Sequence, residues 1–204
     1  AIMRAVRQTG AEAVHPGYGF LSENAAFADT VEAAGVAFVG PRGYAIRAMG
    51  DKIESKRLAA EAGVATIPGF EGVLGSEDEA AEVAASVGFP VMIKASAGGG
   101  GKGMRIAWNE AEARSGFSIS KREAAASFGD DRVFIERYVE EPRHIEIQLL
   151  ADGYGNCVYL PERECSIQRR NQKVVEEAPA ANLSPETVRR MGEEAVALAK
   201  AVDY

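Results

Sequence analysis

The pattern of apolar and polar residues is sharpest in two places. Over residues 143–150, His144, Glu146 and Gln148 alternate with Ile145, Ile147 and Leu149. A period of two predicts one strand with a core-facing side and a polar side. That polar side suits a ligand or plain solvent, and alternation fits both. Over residues 91–108, two β-rich runs flank a loop that is almost all glycine. The first is Val91-Met92-Ile93-Lys94-Ala95; the second starts at Met104. This stretch predicts strand, loop, strand.

The remaining chain alternates helix and strand. Residues 2–9, 25–34 and a segment opened by Pro41 read as helices, with short buried strands at 13–15 and 36–39. Such βαβα texture predicts a parallel sheet. A helix follows from Asp51 to Ala62, ended by Gly63, and residues 66–75 read as a link between lobes. Ser76-Glu77-Asp78-Glu79 is a capping-box pattern for a helix to Val87, and Asn109 caps a long helix to about Ser127. Residues 132–139 read as a strand of alternating character. Asp152-Gly153-Tyr154-Gly155-Asn156 is a hairpin turn with a return strand from Cys157 to about Leu160. Ser184-Pro185 starts the last helix, to Ala201. The fold class is α/β in the first part and α+β after it.

Five glycines around Lys102 remove nearly every Cβ, so backbone N–H groups there can converge on an anion. Lys94 adds an ammonium on a rigid strand. No helix opening with Gly-Lys-Ser/Thr follows, which excludes the Walker loop, and a strand in place of a helix excludes the dinucleotide fingerprint. The stretch reads as a flap over nucleotide phosphates, with a plain hairpin linker as the bland alternative. Lys52, at a helix N-terminus, opposes the helix dipole; it is a solvated surface lysine or one that shares the site with a phosphate. The loop His15-Pro16-Gly17-Tyr18-Gly19-Phe20 lies at a strand end, where α/β sheets bind ligands, and reads equally as a plain turn. Arg169, Arg170 and Lys173 cluster in a charged stretch, as an anion site or a salt-bridged surface.

Hydrophobic content of 47% and charged content of 26% are those of an ordinary globular protein. A net charge of −7 argues against nucleic-acid and membrane-surface partners. No apolar run approaches the roughly 18 residues of a span. Two cysteines, Cys157 and Cys165, without metal-type spacing suit a reducing compartment and read as buried inert thiols. The chain starts inside an apparent helix and stops just after another, and so reads as an excerpt of a longer protein.

With these residues quoted, the chain resembles the biotin carboxylase component of biotin-dependent carboxylases, a branch of the ATP-grasp superfamily. The matching stretches are residues 15–24, Gly50-Asp51-Lys52, 93–105, 142–148 and 165–179, in order across essentially the whole chain. The wording of residues 166–173 is that of an acyl-CoA carboxylase branch. The resemblance implies a partial ATP-grasp fold. Residues 1–50 would be the C-terminal part of a Rossmann-like pre-ATP-grasp domain. Residues 51–204 would be ATP-grasp, with a lid subdomain at about 69–139 and the start of the catalytic lobe at about 140–204. MgATP would phosphorylate bicarbonate to carboxyphosphate, and carrier-bound biotin would be carboxylated.

The same resemblance assigns roles. Lys52 and Lys94 would hold the phosphates. Gly98, Gly99, Gly100, Gly101, Gly103 and Met104 would belong to the closing lid. Glu136 would contact the adenine amino group, with Arg137 and Val139 at the hinge. His144, Gln168 and Asn171 would line the ribose and phosphate side, and Lys173 would lie near the γ-phosphate and bicarbonate. Many relatives carry His where this chain has Asn171, which can offer a hydrogen bond but never a positive charge. In the family, the Mg²⁺ ligands lie beyond the point where this chain stops, so no metal ligand is expected within it. Biotin on a carrier domain, a carboxyltransferase β subunit, a hetero-oligomer, and a cytoplasmic or mitochondrial-matrix location are also implied. The piece alone is expected to bind ATP weakly at most. Two rivals share the Lys94 and lid logic: another ATP-grasp ligase, such as a carbamoyl-phosphate or carboxylate–amine ligase, and a non-catalytic nucleotide-binding module.

Overall fold

The computed structural model describes residues 1–70, 72–97, 102–170 and 172–204. Helix α1 (Ile2–Thr9) ends at Gly10, whose left-handed φ of 68° suits a residue without Cβ. Strand β1 (Ala13–Val14) pairs in parallel with β2 (Ala37–Phe38) through helix α2 (Ala25–Ala33). The expected parallel pairing is present, in shorter strands. A 3₁₀ turn, Phe20–Glu23, fills part of the loop before α2, and the Asn24 side chain caps α2 by accepting the Phe27 N–H. Ala28, Val31 and Phe38 form the local core. Helix α3 (Gly43–Gly50) begins two residues beyond Pro41. Helix α4 (Lys52–Glu61) follows at once, capped by Asp51.

The middle of the chain is a separate layer pair. Ser76 caps α5 (Glu77–Val87), although the Glu79 carboxylate accepts from Gly75 and not from the cap residue. Strand β3 (Val91–Ala95) is central, flanked antiparallel by β4 (Met104–Ala107) and, after helix α6 (Glu110–Phe128), by β5 (Val133–Arg137). Both helices pack on one face, where Ala84, Val91, Ile93, Ala113, Phe117, Val133 and Ile135 make the core. The expectation of alternating exposure in β5 is corrected: Val133, Phe134, Ile135 and Glu136 are all buried. Its second face is not solvent, because lysines cover it. The link at 66–75 is also more than a connector. It runs beside β5, with Phe70 N–H donating to Ile135 O at 2.9 Å and Arg137 N–H to Pro68 O at 2.8 Å.

The single strand predicted over 143–150 is two strands. Strand β6 (Ile145–Glu146) pairs with β9 (Arg163–Arg169), whereas β7 (Leu149–Ala151) pairs with β8 (Cys157–Tyr159). Each half follows a different neighbour, which a local period cannot reveal. The β7–β8 hairpin is closed by Asp152, whose carboxylate accepts the Tyr154 and Asn156 N–H groups. The charged segment after Glu162 is an antiparallel pair, β9 with β10 (Gln172–Glu177). Its period of two is hidden because β10 carries charged or exposed residues on both sides. Helix α7 (Pro185–Ala201), capped by Ser184, returns to the N-terminal part, where Val202 and Leu198 pack with Ala45, Ala48 and Leu58. No helix among the described residues is long and apolar enough to cross a membrane.

Candidate functional site

Alternation along β3 turns Val91, Ile93 and Ala95 into the core and leaves Met92 and Lys94 on the other face. Lys94 there is paired with Glu136 of β5, whose side chain is only 7% exposed. The second Glu136 oxygen is 3.2 Å from Lys56 Nζ. Lys56, from α4, also donates to Ile67 O at 2.8 Å, and its ammonium lies 5.8 Å from the centre of the Phe134 ring. One turn back on the same helix face, Lys52 donates to Ser96 O at 3.3 Å. Burial lowers the Lys52 pKa, and the nearby positive charge of Lys94 lowers it further, against the pull of Asp51. The two ammonium groups expected to converge therefore lie on the same side of the molecule, beside the mouth of the glycine loop.

Asp51 ties these elements together. It accepts from Ile53 N–H and Glu54 N–H as the cap of α4, from Ser96 Oγ at 2.9 Å, and pairs with Arg132 at 2.8 Å. Burial would raise its pKa, but the Glu54 N–H, Arg132 and Ser96 bonds hold it below the ordinary value. The start of α4 is thus stapled to the end of β3. On the far side of the loop, Gly103 accepts the Ala95 N–H at 2.9 Å, and Met104 lies opposite Lys94. Gly98, Gly99, Gly100 and Gly101 lie outside the described residues. Arg137 is exposed and Val139 is 46% exposed where the chain leaves β5. Three ammonium groups thus gather here, with the Glu136 carboxylate between Lys56 and Lys94 and Asp51 acting on Lys52, and such a cluster suits a polyanion.

A second group sits on the β10–β9–β6 sheet. Its centre is Glu146, which pairs with Lys173, with Arg163 at 2.8 Å and with His144 Nε2 at 3.0 Å. Burial alone would raise the Glu146 pKa, but the Lys173 and Arg163 bonds win and bring it down to about 2. Gln168 Nε2 is 2.7 Å from His144 Nδ1 and donates to Cys165 O at 2.9 Å. His144, Gln168 and Lys173 are therefore brought together around Glu146; Asn171 lies outside the described residues. The basic cluster divides: Lys173 turns to Glu146, while Arg169 and Arg170 are exposed at the hairpin end. Cys165 is buried, and burial, with Glu146 and Glu176 nearby, raises its thiol pKa, as an inert thiol requires; Cys157 is only half-buried. His15 accepts the Gly17 N–H at 3.0 Å, so its turn role is satisfied.

Glu146, Cys165 and Glu176 offer ligand atoms within 4.8 Å of one another. Arg163 and Lys173 already neutralise the carboxylates, and a protonated thiol is a poor ligand for a hard cation. The trio does not fit Mg²⁺. Sequence reasoning missed Lys56, Arg132 and Arg163 as members of these groups. Lys56 carried a signal, since its spacing of four from Lys52 sets both on one helix face.

Residues 51–204 match the model of the carbamoyl-phosphate synthase L chain ATP-binding domain, and residues 1–46 match that of the biotin carboxylase N-terminal domain. The chain belongs to the family of the carbamoyl-phosphate synthase L chain ATP-binding domain, an ATP-grasp fold, preceded by a segment of a biotin carboxylase N-terminal domain. It is 67% identical to the propionyl-CoA carboxylase alpha chain of Ruegeria pomeroyi and 67% identical to the mitochondrial alpha chain of Sus scrofa. All of this chain aligns in both cases, but it spans only 30% and 28% of those relatives. The biotin carboxylase domain of Hydrogenobacter thermophilus 2-oxoglutarate carboxylase, solved with MgADP, ADP and bicarbonate, superposes with a TM-score of 0.92 at 48% identity. That match covers 100% of this chain and 45% of the other.

Proposed function

We propose that this chain forms part of the ATP-handling lobe of a biotin carboxylase, within an acyl-CoA carboxylase of the propionyl-CoA type. The reaction would be ATP-dependent activation of bicarbonate to carboxyphosphate, followed by transfer of the carboxyl group to biotin on a carrier domain. The supporting observation is the convergence of Lys52 and Lys94 beside the glycine loop, together with whole-chain similarity to propionyl-CoA carboxylase alpha chains. Fixed ammonium groups are what phosphoryl transfer needs, since its transition state spreads negative charge over phosphate oxygens.

In this reading residues 1–50 end the pre-ATP-grasp domain and 51–204 begin the ATP-grasp domain. Lys52 and Lys94 hold phosphate oxygens. Gly98 to Gly101, Gly103 and Met104 form the lid that excludes water from a labile intermediate. Glu136, Arg137 and Val139 line the adenine side, and His144, Gln168 and Asn171 the ribose and phosphate side. Lys173 orients bicarbonate near the γ-phosphate. Mg²⁺, when bound, would offset triphosphate charge. Glu136 and Glu146 would not be its ligands, because both are already held by lysine or arginine. A carboxyltransferase subunit would be the partner in a hetero-oligomer, in the cytoplasm or, as for the Sus scrofa relative, in mitochondria.

The test is ATP hydrolysis by a carboxylase chain of the relatives' length that carries this sequence. Stimulation by bicarbonate and biotin is expected. Dependence on ammonia or an amino acid would point instead to another ATP-grasp ligase.

A further inference from the structure

We propose that Lys56 is a positioning residue for nucleotide binding: it keeps the buried Glu136 carboxylate neutralised when Lys94 turns from Glu136 to the phosphates. The proposal rests on the reading of Lys94 as a phosphate-binding group.

The geometry contains a conflict that Lys56 resolves. Lys94 is paired with Glu136 and so is not yet available to a phosphate. If Lys94 left, a carboxylate with only 7% exposure would lose a cation in a site poor in water. An uncompensated buried charge is strongly unfavourable, so without a second cation Lys94 would be trapped. Lys56 supplies that cation on the opposite carboxylate oxygen, at 3.2 Å. It is itself held in place. Its ammonium is anchored to Ile67 O in the link and lies over the Phe134 ring, and its side chain is 19% exposed. Glu136 thus acts as a parking site for the Lys94 ammonium, and Lys56 makes the departure cheap.

The experiment is a double-mutant cycle on the full-length carboxylase chain, read as the ATP dissociation constant by calorimetric titration. The parent is first checked for ATP binding and bicarbonate-stimulated hydrolysis; failure there sinks the proposed function, whatever Lys56 does. With the parent active, Lys56→Met is expected to raise Kd roughly thirtyfold or more, the low end of the scale for leaving one member of a buried charge pair alone. Lys56→Arg is expected to keep most of the parental affinity. In a Glu136→Gln background, Lys56→Met should change Kd by less than about twofold, because no carboxylate remains to trap Lys94. A purely structural role would give the same loss in both backgrounds, and that result would overturn the proposal. So would parental affinity in Lys56→Met, or a loss in Lys56→Arg equal to that in Lys56→Met. Thermal melting reports folding. Should Lys56→Met not fold, Lys56→Gln, which keeps an N–H donor, is read in the same cycle against the same criteria.

Discussion

Lys94 lies opposite Phe134 across the β3–β5 pair, and the carboxylate that it holds, Glu136, lies opposite Met92. The ion pair is diagonal, between residues two positions out of direct register on one face of the sheet. A strand therefore fixes where the Lys94 ammonium starts, and its length lets it reach beyond the strand. Charge-assisted hydrogen bonds are worth about 1.5–3 kcal/mol, so Lys94→Ala should weaken ATP binding roughly ten- to a hundredfold. Titration of the full-length chain with ATP measures this, and unchanged affinity would remove Lys94 from the phosphate site.

Gly103 is where the loop rejoins the sheet. It holds a left-handed φ of 67°, and a Cβ there would come within 2.8 Å of the Ala95 Cβ. Neither the strained backbone nor the buried alanine can give way cheaply. Gly103→Ala should cost about 1–3 kcal/mol of stability. Urea denaturation would read it as a lower midpoint, and a variant as stable as the parent would contradict the close packing.

Asp51 does two jobs that substitution can separate. As a cap it satisfies two N–H groups of α4, and as an anion it pairs with Arg132. Asn caps helices about as well as Asp but carries no charge. Asp51→Asn is therefore expected to be more stable than Asp51→Ala, by about 1 kcal/mol. Equal melting temperatures for the two variants would mean that the cap contributes nothing.

Glu146 predicts a pH dependence. Its pKa falls from 4.5 unfolded to about 2 folded. A group whose folded pKa is depressed stabilises the fold above the unfolded value, and that stabilisation is lost as pH falls through the folded one. The window is thus about pH 4.5 down to 2, and the amount at neutral pH is about 3 kcal/mol. Glu146→Gln should be less stable than the parent at pH 7, and the gap should close as pH falls to 2. A gap that stays constant from pH 7 to pH 2 would show that the ion pairs to Lys173 and Arg163 do not set it.

Local chemistry made much of this protein legible. Ser76, Asn109 and Ser184 announce helix starts because a side-chain oxygen satisfies orphan N–H groups in any context. Residues 91–107 announce a strand, a glycine-rich stretch and a strand, and Lys94 and Lys52 stand out as candidates by being cations on rigid supports. What tertiary structure alone decided is which partners meet. Residues 143–150 keep one period but split between two sheets, because β9 and β8 compete for different halves. The β5 strand alternates in sequence yet is buried on both faces, since Lys56 arrives from a helix 80 residues away to cover Glu136. Periodicity and capping are properties of neighbouring residues and can be read from the chain. The pairing of a buried carboxylate with its lysines depends on distances that exist only once separate segments have packed.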